Sequence, residues 1–115
     1  MDIKQLDTTN DNLTIKLAGE MDAHVCSKIR PDLEQITHQK QSHIIIDINL
    51  VSFIDSSGIG AIVFLFKRLK SQNRTMEIIG VQGQPKELML LLRMDSAISL
   101  TCTSEVDQGA MSCAH

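Results

Sequence analysis

The sequence has no tryptophan, no tyrosine and only three phenylalanines in 115 residues. That removes the aromatic platforms on which single-stranded nucleic acids stack. Positive charge is also scarce: 11 Lys and Arg against 14 Asp and Glu leave a formal net charge of −3. No basic face for nucleic acid is implied. No apolar run approaches the ~20 residues of a membrane span, so no membrane insertion is expected. No charged-then-apolar segment opens the chain, and this predicts a cytoplasmic protein. The three cysteines (Cys26, Cys102, Cys113) are odd in number and form no C-x-x-C. A disulfide framework is not expected, and a reducing compartment fits. The four histidines (His24, His38, His43, His115) are scattered. None stands at metal-ligand spacing from Cys or another His, so neither metal nor cofactor is expected.

What remains is an ordinary globular composition, 43% hydrophobic and 22% charged. A chain of this length folds as one domain and buries roughly 65% of its unfolded surface. No repeat, low-complexity tract or linker interrupts it.

Leu13–Ala18 alternates apolar and polar residues and predicts a half-buried strand. A weaker strand at Asp2–Asp7 precedes it, joined through Thr9-Asn10-Asp11-Asn12, a segment with hairpin chemistry. Gly19-Glu20-Met21-Asp22 closes the strand, and Asp22 is placed to cap a helix. Val25, Ile29, Leu33 and Ile36 recur at helical spacing across Pro31, which predicts a kink or a restart there. His43–Ile48 is a β-branched apolar run and predicts a central strand covered on both faces. Residues Asn49–Asp55 then connect it to a second helix, Ser56–Lys70, basic at its end as the helix dipole favours. Thr75–Gly80 predicts another strand, Gly83–Met94 a third helix entered near Pro85, and Ile98–Thr101 a short last strand. Strands alternating with helices imply an α/β domain, a mixed sheet of four to five strands with helices packed against it.

One segment carries chemistry: Phe53-Ile54-Asp55-Ser56-Ser57-Gly58-Ile59-Gly60, between the buried strand and the apolar helix. Ser56 falls in the first turn of the helix, where backbone N–H groups lack intrahelical partners. Such a position stabilises an anion, including a phosphate on the serine itself. Capping by Asp55 or either serine accounts for the same residues. Gly58 and Gly60 allow close approach of another chain, or close packing of the helix on the sheet. A nucleophilic serine has less in its favour, because G-x-S-x-G is absent and no base is assignable to Ser56. The apolar run Ile59–Phe66 exceeds the single stripe a helix on a sheet needs. Ala61, Phe64 and Leu65 are therefore candidates for exposure on a docking face.

Leu17-Ala18-Gly19-Glu20-Met21-Asp22 and Val51–Gly60, at this separation and in this order of elements, resemble the single-domain STAS proteins of the anti-sigma factor antagonist family. The resemblance covers roughly residues 3–102. It implies a STAS domain over 1–103, with 104–115 a weakly helical or frayed extension. It implies no enzymatic activity, but a switch that binds a partner. In that family an anti-sigma-type serine kinase phosphorylates the serine directly after the Asp and a PP2C-type phosphatase restores it, so the resemblance implies Ser56 as the acceptor here. The partner surface it implies comprises Glu20, Asp22 and His24 beside Asp55, Ser56, Ser57, Gly58, Gly60 and Ala61. The downstream regulator is open: sigma-dependent transcription, secretion and biofilm control are all outputs of such switches. A structural STAS subunit of a lipid-transport ATPase complex is the alternative.

Overall fold

The computed structural model describes residues 2–7 and 11–102, with side-chain surroundings for residues 11–101. The described residues form five strands and three helices in the order β1 (Asp2–Asp7), β2 (Asn12–Met21), α1 (Ala23–Ile36), β3 (His43–Ile54), α2 (Ser56–Ser71), β4 (Thr75–Val81), α3 (Gly83–Leu91) and β5 (Ser99–Cys102), with a 3₁₀ turn at Met94–Ser96 before β5. They form one mixed sheet in the order β1-β2-β3-β4-β5. β1 is antiparallel to β2, and the other pairs are parallel. The expected α/β sheet of four to five strands therefore has five.

The topology decides which face is covered. Each parallel strand is added on the same side of the last, and crossovers between parallel strands of one sheet are right-handed as a rule of sterics. All three helices then fall on one face. Leu13, Ile15 and Leu17 of β2, Ile44, Ile46 and Ile48 of β3, and Met76 and Ile78 of β4 are buried on it. The opposite face carries half-buried Thr14, Lys16, Ile45, Asp47 and Glu77. There His43 bridges to Thr75 Oγ1 at 2.6 Å and to Glu77 Oε1 at 3.2 Å. The expectation of a central strand covered on both faces is corrected: β3 is fully buried on one side only.

β3 also runs six residues further than the apolar run suggests, through Ile54 rather than Ile48. The residues from Asn49 onward, expected as a connection, pair with β2 up to Met21↔Ile54. Two register shifts against β2 put extra residues into β3, and burial passes from every second residue to Ile48, Val51 and Ile54. Bulges of this kind bend a strand and break its alternation, which is why the pattern conceals the extension.

α1 is one continuous helix with Pro31 inside it, so no restart occurs there. Cys26, Ile29, Leu33 and Ile36 form its buried stripe, and Val25 is only partly buried. In α2, Leu65 is 1% exposed and belongs to the core rather than to a docking face. The basic end of α2 covers aromatic surface: the Arg68 guanidinium lies 5.5 Å from the Phe64 ring centre and Lys70 Nζ 5.9 Å from that of Phe66. α3 ends at Leu91, short of Met94, because Arg93 takes a left-handed conformation (φ 58°). The 3₁₀ turn that follows returns Met94 to the core. Residues 8–10 of the expected turn and the extension at 104–115 lie outside the described residues.

Candidate functional site

β2 and β3 are parallel and end together at the Met21↔Ile54 pair. The helix following each one starts at once, so two helix N-termini stand side by side. Each is capped by the aspartate that follows its strand. Asp22 Oδ1 accepts from the Val25 N–H at 2.9 Å. Asp55 Oδ1 accepts from Ser57 and Gly58 N–H at 2.8 and 3.1 Å. The Asp55 N–H donates to the Met21 carbonyl at 3.2 Å and ties the two turns together. Ser56, the first residue of α2, is exposed, whereas Ser57 is half-buried. Loss of a cap that satisfies two N–H groups costs about 1 kcal/mol. Asp55→Ala is thus expected to lower the urea midpoint accordingly with an unchanged slope, and an unchanged midpoint would remove the capping role.

The two glycines differ. Gly58 is buried. A Cβ built there would lie 2.5 Å from Ile54 Cγ1 and 2.9 Å from both the Cβ and the carbonyl oxygen of Met21. Its missing side chain lets α2 seat directly on the ends of β2 and β3. The expectation that Gly58 belongs to a partner surface gives way to this packing role, since Met21 and Ile54 at the ends of β2 and β3 cover it. Gly60 is exposed, and a Cβ there would meet nothing within 4 Å.

Gly60 opens instead onto a groove of about 380 Å³ between α1 and α2. Ala23, Ser27 and Arg30 of α1 line one wall, and Ser57, Ala61 and Phe64 of α2 the other. Cys26 also lines the groove and is mostly buried. Burial, and then the negative charges of Asp55 and Asp22, push its thiol up from the ordinary value of 9.0, with Arg30 opposing. It therefore stays protonated at neutral pH and is a poor nucleophile. His24 is exposed in the first turn of α1, but Ala23 rather than His24 reaches the groove. Glu20 is exposed opposite Phe53 in the strand register. The structure thus gathers Glu20, Asp22, Asp55, Ser56, Ser57, Gly60 and Ala61 at one end of the sheet.

Sequence reasoning missed Arg30 and Ser27 on the groove wall. Their signal was present: Ala23, Cys26, Ser27 and Arg30 share one helical face by their spacing. It also missed Gln84, whose side chain bonds both backbone groups of Ile54. No local pattern marks that glutamine.

A mixed-sheet domain whose described helices lie on one face, with two capped helix N-termini at the strand ends, is a STAS-type fold. The chain belongs to the STAS domain family, whose model matches residues 4–108. It is 29% identical over 100 residues to the anti-sigma-B factor antagonist of Listeria monocytogenes, covering 87% of this chain and 86% of that protein. It is 29% identical over 78 residues to the anti-sigma F factor antagonist of Paenibacillus polymyxa, covering 67% of each. Among solved structures, the anti-sigma factor antagonist SpoIIAA in its unphosphorylated form matches with a TM-score of 0.70 at 21% identity, over 90% of this chain and 91% of that one. The phosphorylated form of the Bacillus cell fate determinant SpoIIAA matches with a TM-score of 0.69 at 21% identity, over 90% of this chain and 94% of that one. Among the described residues no helix is long and apolar enough to cross a membrane.

Proposed function

We propose that the chain is a phosphorylation-controlled binding switch of the anti-sigma factor antagonist type, with Ser56 as the acceptor. One observation carries the reading: Ser56 is exposed at the first position of a helix whose N-terminus abuts a second one. An anti-sigma-type serine kinase transfers phosphate to Ser56, and a PP2C-type phosphatase removes it. Relatives named as antagonists of anti-sigma factors, and a structural neighbour known in a phosphorylated form, support this assignment. The kinase supplies the transfer machinery, so the chain acts by binding rather than by catalysis, in the cytoplasm. No feature of the fold or of the relatives favours the lipid-transport subunit.

Unmodified, Ser56 presents a small neutral surface beside Gly60 and the groove. Glu20, Asp22, Asp55, Ser57 and Ala61 complete the face that a partner covers, with exposed His24 at its margin. Phosphorylation adds about −1.5 to −2 charges. The helix N-terminus tolerates that charge within the chain. A partner surface fitted to a hydroxyl does not. Gating therefore takes place at the interface and requires no refolding of the domain.

Ser57 tests the assignment. It lies about 100° further round the helix than Ser56, lines the groove, and gives its N–H to Asp55. Incubation with the cognate kinase and ATP is expected to load Ser56 alone. Ser56→Ala then abolishes incorporation, and Ser57→Ala leaves most of it. Phosphopeptide mass spectrometry reads the site. Phosphate on Ser57 with Ser56 bare would overturn the assignment, and no phosphate with an active kinase would overturn the switch.

A further inference from the structure

Pairing between β3 and β4 ends at Asp47↔Ile79. β4 then turns away at Gly80 (φ 73°), whose backbone presses on Asn49 so closely that a Cβ would lie 2.7 Å from the Asn49 nitrogen. Among the described residues, the extension of β3 from Asn49 to Ile54 has β2 on one edge and no strand on the other. Backbone polar groups on that edge still require partners. Two glutamines from the start of α3 provide them. Gln82 Nε2 donates to the carbonyl of Asn49 at 2.9 Å and to its side-chain oxygen at 3.1 Å. Gln84 does more. Its Nε2 donates to the Ile54 carbonyl at 2.8 Å, and its Oε1 accepts from the Ile54 N–H at 2.9 Å. One side-chain amide thus does for Ile54 what the peptide of a neighbouring strand would do.

Ile54 is fully buried and directly precedes Asp55. It is held by Met21 of β2 on one side and by Gln84 on the other. Asp55 in turn caps α2 and bonds Met21. We infer that Gln84 is a positioning residue for the acceptor serine: through Ile54 and Asp55 it fixes where α2 begins, and so where Ser56 Oγ stands. It makes α3 part of the switch although α3 contributes no atom to the acceptor. The chemistry is specific to a carboxamide, which donates and accepts at once. An ionised glutamate in its place accepts from the Ile54 N–H but faces the Ile54 carbonyl with a second acceptor. This inference rests on Ser56 being the acceptor.

Two measurements on the full chain test it, with Gln84→Glu and Gln84→Ala compared well below their melting temperatures. The first is residue-resolved amide exchange in the free protein. Both variants are expected to speed exchange at Ser57 and Gly58 by about tenfold, leaving Ile46 and Ile78 in the central strands unchanged. The second is phosphate transfer from ATP by the anti-sigma-type kinase that co-purifies with the wild-type chain. Turnover is expected to fall about tenfold with KM held within about twofold, since the acceptor is bound as before but misplaced. A merely structural anchor of α3 would lower the melting temperature and leave turnover alone. Wild-type exchange at Ser57 and Gly58, or faster exchange with wild-type turnover, overturns the role of Gln84. If the wild-type chain itself takes no phosphate, the proposed function fails, and the exchange result alone decides whether Gln84 fixes the start of α2.

Discussion

The Ser56-phosphorylated chain is expected to bind its unmodified-state partner about a hundredfold more weakly than the unmodified chain, a difference of about 3 kcal/mol. Ser56→Ala is expected to bind as the wild type does, because it keeps the surface small and neutral. Ser56→Glu falls between, with one charge and the wrong shape. The magnitude follows from what surrounds the hydroxyl. Asp22 and Asp55 already place two carboxylates at the two helix mouths, each turned inward onto backbone N–H groups. Glu20 is exposed nearby. A phosphate therefore enters a region that is already negative, while Arg30 stands on the wall of the neighbouring groove. The helix dipole softens the cost within the chain, but a partner that covers the site must strip water from the phosphate. Raising the ionic strength should narrow the gap for Ser56→Glu, since exposed charges are screened over about 10 Å at 0.1 M salt. It should narrow the gap less for the phosphate, whose bulk also blocks the fit. Calorimetry on the four forms decides: equal affinities for all of them would end charge gating at Ser56.

Much of this site is legible in the sequence because its determinants are local. Asp22 and Asp55 are each an aspartate between an apolar strand and a run with helical apolar spacing, and each caps the helix it precedes. That pattern alone puts Ser56 at a helix mouth. The alternation in Leu13–Ala18 marks β2 for the same reason, since its burial follows period two. What stays hidden depends on contacts between segments distant in sequence. The second half of β3 is a strand only because β2 pairs with it through two register shifts, and the bulges erase the period that would announce it. The coverage of β3 on one face follows from successive crossovers all running the same way, a property of the sheet order and not of His43–Ile48. Gln84 lies 30 residues from the backbone it holds. The groove is shaped as much by the small size of Gly60 and Ala61 as by the larger side chains around them.

The two glycines of the motif are expected to respond to alanine with opposite signs. Both lie in a helix, where replacing Gly by Ala gains roughly 0.5–1 kcal/mol when the new methyl has room. At Gly60 it has room: nothing lies within 4 Å of the Cβ position. Gly60→Ala should therefore stabilise the domain by about that amount. At Gly58 the methyl meets Ile54 Cγ1 at 2.5 Å, and Met21 Cβ and its carbonyl oxygen at 2.9 Å. Ile54 Cγ1 belongs to a fully buried, β-branched side chain that is stiff at χ1. The Met21 carbonyl is backbone, and it already accepts the Asp55 N–H. Relief therefore means lifting α2 off the strand ends, which strains that hydrogen bond and opens a closely packed end of the core. Overpacking of this kind costs about 1–3 kcal/mol and exceeds the helical gain. Gly58→Ala is expected to lose about 1 kcal/mol net, and Gly58→Val more, because its branched side chain adds bulk where none fits. Urea unfolding of the two alanine variants should place their midpoints on opposite sides of the wild type. Binding separates them a second time. Gly60→Ala keeps the fold while narrowing the groove beside Ser56, so any loss of partner affinity there reports on the groove itself. Gly58→Ala displaces Asp55 and Ser56 together and should slow phosphate loading as well as binding. A Gly58→Ala protein as stable as the wild type, and loaded with phosphate at the wild-type rate, would show that the close seating of α2 does not set the position of Ser56.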